Sequence, residues 1–163
     1  MLDVDGTMTD GGIYYDASGN EWKKFNTKDA AGIFAARCAG IKTMVLNGRK
    51  SFAVENRMKE IKVDYMYQGI SDKKKFLIDY MKNSGMTKYC AGYIGDDLND
   101  FEPMKVAGLV CCPGDACDEI KQISDYVASA NGGYGAVRKC ITYLLKSRGE
   151  WETAIAAAYR FGV

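Results

Sequence analysis

The sequence contains no histidine, so imidazole is unavailable to any metal site. Its six cysteines (Cys38, Cys90, Cys111, Cys112, Cys117 and Cys140) form no C-x-x-C pair, and a structural zinc site is excluded on both counts. They are expected to be buried thiols in a reducing compartment, with Cys90, Cys111 and Cys112 on strands as small hydrophobes. Neither sign of charge is in excess: 22 Lys and Arg stand against 21 Asp and Glu. No global field therefore draws the chain to nucleic acid or an anionic membrane, and any anion must be bound locally. Long apolar runs are missing too, all falling well short of the roughly 20 residues of a membrane span. The amino terminus shows no charged region followed by an apolar signal core. A soluble, cytoplasmic protein is the expectation.

What is present suffices for one good core. At 163 residues with 47% hydrophobic content, a single domain covering 1–163 is expected. Apolar runs at 41–46, 63–67, 89–94, 109–112 and 125–128 alternate with segments of helical period, which is a βαβ pattern. The fold class is α/β, a single Rossmann-like doubly wound parallel sheet. Asn26, with Asp29 three residues on, opens a helix whose Ala30, Ile33, Phe34 and Cys38 form an apolar stripe; Gly40 closes it. Further helices are predicted at 50–60, 73–84, 100–107, 115–122 and 135–147, and residues 149–163 form either one more short helix or a mobile tail. One segment breaks the rhythm. Residues 12–25 read as a β-hairpin around Asp16–Asn20, inserted after the first strand and rich in aromatics (Tyr14, Tyr15, Trp22, Phe25).

The acidic segments carry the chemistry. Asp3-Val4-Asp5-Gly6-Thr7 and Gly95-Asp96-Asp97-Leu98-Asn99-Asp100 each follow a short apolar stretch, so each is expected at the carboxyl end of a strand. Such ends gather along one edge of a parallel sheet, where carboxylates far apart in sequence meet around one cation. Clustered carboxylates repel unless a hard metal neutralises them, and an oxygen ligand set without histidine favours Mg²⁺ over Zn²⁺ or Cu²⁺. Between the two motifs lie Asn47-Gly48-Arg49 and, after Ser71-Asp72, Lys73. A lone D-x-D-G is weak, because Asp and Gly crowd ordinary turns; four ordered elements at junctions on one side of a sheet are much stronger. Gly48-Arg49-Lys50-Ser51 fails as a P-loop because Lys does not directly follow the glycine. Asp3–Asp10 fails as a calcium loop because its glycine comes too early.

In this order the motifs resemble those of the haloacid dehalogenase superfamily. The closer resemblance is to its small capless phosphatases of 3-deoxy-D-manno-octulosonate 8-phosphate (KDO 8-phosphate) and related nonulosonate 9-phosphates. It runs through the hairpin, Glu21–Asp29, Tyr67–Lys73, Gly95–Asp100 and Gly132–Arg138. It implies a Mg²⁺-dependent phosphomonoesterase acting on a phosphorylated 3-deoxy-2-ulosonic acid, with KDO 8-phosphate ahead of the nine-carbon compounds. Asp3 would be the nucleophile that forms an aspartyl phosphate, and Asp5 the acid and then the base. Mg²⁺ would be held by Asp3, the Asp5 backbone carbonyl and Asp96. Lys73 and Asn47 would bind the transferring phosphoryl group, while Asp97 and Asp100 would orient metal-bound water and Lys73. Substrate contacts are implied for Asn26, Thr27, Lys28, Asp29, Ala30, Gly48, Arg49, Arg57 and Lys73, an arginine being suited to a sugar-acid carboxylate. The resemblance also implies a homotetramer in which hairpins help close neighbouring active sites.

Three departures stand out. Asn47 replaces the usual Ser or Thr, and Phe34 replaces an Arg common in the KDO 8-phosphate enzymes, as in their nonulosonate relatives. Only Met1 and Leu2 precede Asp3, where the family has a full strand; either upstream residues are missing or the central strand is stunted. Two non-enzymatic readings compete. A receiver domain has its paired acids first, whereas Asp96-Asp97 follow Lys73 here. A degenerate assembly domain of a sialic-acid-activating protein lacks one opening aspartate, and this chain keeps both.

Overall fold

The structure, a computed structural model, describes residues 1–159. Strands β3 (Met44–Asn47), β4 (Tyr65–Gln68), β5 (Gly92–Ile94), β6 (Leu109–Cys112) and β7 (Tyr126–Val127) follow the short hairpin strands β1 (Tyr14–Tyr15) and β2 (Glu21–Trp22). β3 pairs parallel with β4, and β5, β6 and β7 pair parallel in that order. Leu2 joins the two groups through parallel bridges to Val45 and Ile94. Residues 1–3 thus run between β3 and β5, fixed by Leu2 N–H to Met44 O at 2.8 Å, Asp3 N–H to Ile94 O at 2.9 Å and Ile94 N–H to Met1 O at 3.0 Å. The catalytic-looking loop begins immediately after Leu2.

Successive strand residues point to opposite faces, and here they feed two separate cores. Val45, Ile94 and Cys111 pack with α1 (Thr27–Cys38), α2 (Phe52–Glu60), α6 (Ala136–Ser147) and α7 (Trp151–Tyr159). Leu46, Tyr93, Val110 and Cys112 pack with α3 (Lys73–Asn83), α4 (Leu98–Met104) and α5 (Asp118–Ile123). Helices on both faces of a parallel sheet make the doubly wound architecture. α1 starts where Asn26 accepts the Lys28 N–H at 2.9 Å and lies against α6, with Gly32 leaving room for the Arg138 backbone.

Several boundaries differ from the sequence reading. The strand expected at 89–94 starts only at Gly92, because Cys90 N–H bonds Thr87 O and Ala91 N–H bonds Lys88 O, closing a 3₁₀ turn first. Cys90 is consequently exposed, as is Cys38, while Cys111, Cys112 and Cys140 are buried. The helix expected at 100–107 begins earlier, at Leu98, since the Asp97 carboxylate caps its N–H at 2.8 Å. The one expected at 115–122 begins later, at Asp118; Cys117 instead gives its N–H to Asp96 O at 3.0 Å. Of the two readings of the carboxyl end, a helix forms at Trp151–Tyr159; residues 160–163 lie outside the described part. No described helix is long and apolar enough to cross a membrane.

Candidate active site

Asp3 leaves the sheet at Leu2, and Lys73 opens α3 after β4. Their side chains meet in the interior: Lys73 Nζ lies 2.5 Å from Asp3 Oδ1 and 2.7 Å from Asp100 Oδ1, with all three residues buried. Tyr93 OH gives Asp100 Oδ1 a further hydrogen bond at 2.9 Å, and Asp100 Oδ2 accepts the Asp96 N–H at 3.2 Å. Asp96 is oriented by the Thr7 hydroxyl at 2.7 Å and by the close fit of Gly6, whose φ of +91° is a left-handed conformation suited to glycine. The Gly132-Gly133 loop presses on the same turn, so that a Cβ on Gly132 would overlap Gly6 O.

Carboxylate oxygens of Asp3, Asp96 and Asp100 all lie within 4.8 Å of one another. Burial, then Asp100 and Asp96, push the Asp3 carboxyl well above its ordinary range, although Lys73 pulls the other way. Asp96 is raised to about 7, by burial first and then by Asp100 and Asp97, against the hydrogen bond from Thr7. Burial alone would lower Lys73, yet Asp3 and Asp100 outweigh it and hold its ammonium firmly charged. One ammonium cannot balance three carboxylates at this spacing. An all-oxygen donor set with unbalanced negative charge fits a hard divalent cation.

Asp5 lies on the outer side of the cluster. Its Oδ1 accepts from Lys23 Nζ at 2.5 Å; its Oδ2, 4.0 Å from Arg49, is buried without a hydrogen-bond partner. Arg49 also binds Glu21 at 2.9 Å, and Glu21 accepts the Ser51 hydroxyl at 2.5 Å, so the hairpin is tied to the β3–α2 loop. Asn47 ends β3, buried, with Nδ2 unpartnered. An amide donor in that condition is suited to an anionic oxygen.

The remaining sequence candidates disperse. Asn26 caps α1 and gives its amide to Gly133 O at 3.3 Å. Lys28 and Gly48 are exposed. Asp29, in the first turn of α1, is buried and accepts the Arg138 N–H at 2.8 Å. Thr27, Ala30 and Arg57 line a separate surface depression of about 450 Å³ with Phe34, and Arg57 pairs with Glu60 at 2.8 Å. Asp97 caps α4, while the hydrogen bonds of Lys73 go to Asp3 and Asp100. An apolar cavity of about 370 Å³ lies at the opposite edge of the sheet, between Leu2, Met44, Leu77 and Gly92, away from the acids. Sequence reasoning gave no role to Thr7, Lys23 or Tyr93. Thr7 and Lys23 were within reach, since each lies in a segment that carried the resemblance; nothing local marked Tyr93.

A family model described as haloacid dehalogenase-like hydrolase matches residues 66–141. The Escherichia coli K12 protein named 3-deoxy-D-manno-octulosonate 8-phosphate phosphatase KdsC is 36% identical over 154 residues, 94% of this chain and 82% of that one. The chain belongs to this phosphatase family of the haloacid dehalogenase superfamily. A Haemophilus influenzae KDO 8-phosphate phosphatase is 34% identical, over 92% of this chain and 83% of its own. The fold agrees as well. The crystal structure of the Moraxella catarrhalis KDO 8-phosphate phosphatase, in complex with magnesium, phosphate and KDO, superposes with a TM-score of 0.90 at 35% identity. That match covers 95% of this chain and 89% of the other.

Proposed function

We propose that this chain is a Mg²⁺-dependent phosphomonoesterase that converts KDO 8-phosphate to KDO and phosphate. The observation that carries this reading is the buried Asp3–Lys73–Asp100–Asp96 cluster, in a chain 36% identical to KDO 8-phosphate phosphatases across nearly its whole length. Asp3 attacks phosphorus and the bond to the sugar oxygen breaks, leaving phosphate on Asp3; Asp5 gives the departing oxygen a proton. Asp5 then takes a proton from the water that hydrolyses the aspartyl phosphate. Lys73 balances charge on the phosphoryl oxygens, held in place by Asp100, and Asn47 offers its unpartnered Nδ2 to one of them. Asp3, the Asp5 carbonyl and Asp96 would hold Mg²⁺, which when bound offsets repulsion between the nucleophile and the phosphate.

Arg49 is the favoured partner for the sugar-acid carboxylate. It stands at the rim of the cluster, 4.0 Å from Asp5, whereas Arg57 faces the separate depression. The protein acts as a single cytoplasmic domain and assembles as a homotetramer through its hairpins, supported by the exposure of Tyr14, Tyr15 and Trp22. The decisive experiment is a steady-state comparison of KDO 8-phosphate, a nonulosonate 9-phosphate and glucose 6-phosphate. The highest kcat/KM is expected for KDO 8-phosphate. A preference for the nine-carbon acid would favour the reading suggested by Phe34, and equal constants for the neutral sugar would remove the substrate assignment.

A further inference from the structure

Lys23 belongs to a surface hairpin, yet none of its side chain is exposed. A buried ammonium is costly unless it is paired; Glu21 Oε1 at 3.4 Å supplies the balancing charge, and Asp5 Oδ1 at 2.5 Å accepts its hydrogen bond whether or not Oδ2 carries a proton. Glu21 is itself anchored by Arg49 and Ser51 from the β3–α2 loop. The position of the ammonium is therefore set by two segments that meet only in the folded chain.

We propose that Lys23 is a positioning residue for Asp5, fixing which carboxyl oxygen works and offering a charge against the carboxylate that forms. The proposal rests on the reading of Asp5 as the acid. Because Lys23 occupies Oδ1, the open oxygen is Oδ2, which is buried and without a hydrogen-bond partner. When the phosphorus–oxygen bond to the sugar breaks, its electron pair goes to the sugar oxygen. That oxygen takes the proton from Oδ2, and Asp5 is left as a carboxylate facing the Lys23 ammonium. The water that later attacks the aspartyl phosphate returns the proton. A preorganised positive charge stabilises the product side of the first transfer without reorganisation.

Leaving-group dependence tests this. A sugar alkoxide needs a proton to depart and p-nitrophenolate does not, so the parent, Asp5→Asn, Lys23→Gln and Lys23→Met are compared on KDO 8-phosphate and p-nitrophenyl phosphate by kcat/KM, which reads the step that breaks the ester and not the shared hydrolysis of the aspartyl phosphate. Melting curves show that each variant folds. Asp5→Asn should lose far more on the sugar phosphate. The Lys23 variants should show the same selective loss, roughly tenfold beyond any loss on the aryl ester. A merely structural lysine would lower both rates alike. If Asp5→Asn discriminates and neither Lys23 variant does, the proposal is overturned. If Asp5→Asn loses both substrates equally, the acid assignment itself fails and the role of Lys23 falls with it.

Discussion

Gly6 and Asp96, far apart in sequence, fit together so closely that a Cβ on Gly6 would overlap the Asp96 carboxylate. With φ at +91°, Gly6→Ala combines backbone strain with displacement of a side chain in the acidic cluster. The strain alone costs about 1–3 kcal/mol, or several degrees in melting temperature at this chain length. Gly19 shares the left-handed conformation, at φ +81°, but has open space around it. Gly19→Ala should therefore lose some stability and keep turnover, while Gly6→Ala loses both. Equal phosphatase activity in the two variants would show that the Gly6–Asp96 fit is irrelevant to catalysis.

Asp3→Asn should abolish hydrolysis of p-nitrophenyl phosphate, a loss of at least about 10³-fold, because an amide cannot act as the nucleophile. EDTA should do the same to the parent, and Mg²⁺ should restore it. Activity that survives chelation counts against the metal, and a fast Asp3→Asn variant counts against the covalent route.

Metal binding should also be visible without turnover. Three carboxylates share one ammonium in the absence of a cation, so Mg²⁺ should stabilise the fold by about 2–3 kcal/mol when present at 100 times its dissociation constant. Asp96→Asn should shrink that increment. Differential scanning fluorimetry with and without Mg²⁺ reads it directly, and an undiminished shift would place the cation elsewhere.

Asp29 gives a pH prediction with a definite sign. Burial, opposed by the Arg138 N–H and the charges of Arg57 and Arg138, raises its carboxyl from 3.8 to about 6. Between roughly pH 4 and 6 the folded chain keeps a proton that the unfolded chain has lost. Stability contributed here is present at low pH, falls as pH rises through that window, and stays low above it. Asp29→Asn keeps an acceptor for Arg138 and should remove this slope, gaining on the order of 1–3 kcal/mol at neutral pH. Urea denaturation at pH 4.5 and 7.5 compares the two proteins; a gain that is the same at both values would mean that Asp29 does not titrate in this range.

The hairpin presents Tyr15 and Trp22 with 62% of each surface exposed, a liability for a lone subunit. Replacing Tyr14, Tyr15 and Trp22 together by Ser should shift sedimentation from a tetramer to smaller species while Lys23 stays in place. A parent that sediments as a monomer would assign those rings another purpose.

Much of the architecture was legible because its signals are local. The α1 cap at Asn26, the alternation of apolar runs with helical periods and the turn around Asp16–Asn20 each depend on a few neighbouring residues. Boundaries slipped where a side chain or a turn intervened, as with the Asp97 cap on α4 and the 3₁₀ turn before Gly92. The order Asp3, Asn47, Lys73, Asp96 could be read because strand ends of a parallel sheet share an edge.

Sequence alone determined the chemistry available: oxygen ligands without histidine, one lysine in the right order, glycines where the chain must turn tightly. Only the tertiary structure decided which atoms meet. Lys23 on Asp5, Thr7 on Asp96 and Tyr93 on Asp100 depend on how the hairpin and helices dock on the sheet and on each side chain's rotamer. It also placed Arg49 beside Asp5 and turned Arg57 toward Glu60. Two arginines that look equivalent in a string of letters differ in space, because Arg49 lies in the β3–α2 loop against Glu21 of the hairpin while Arg57 lies on α2.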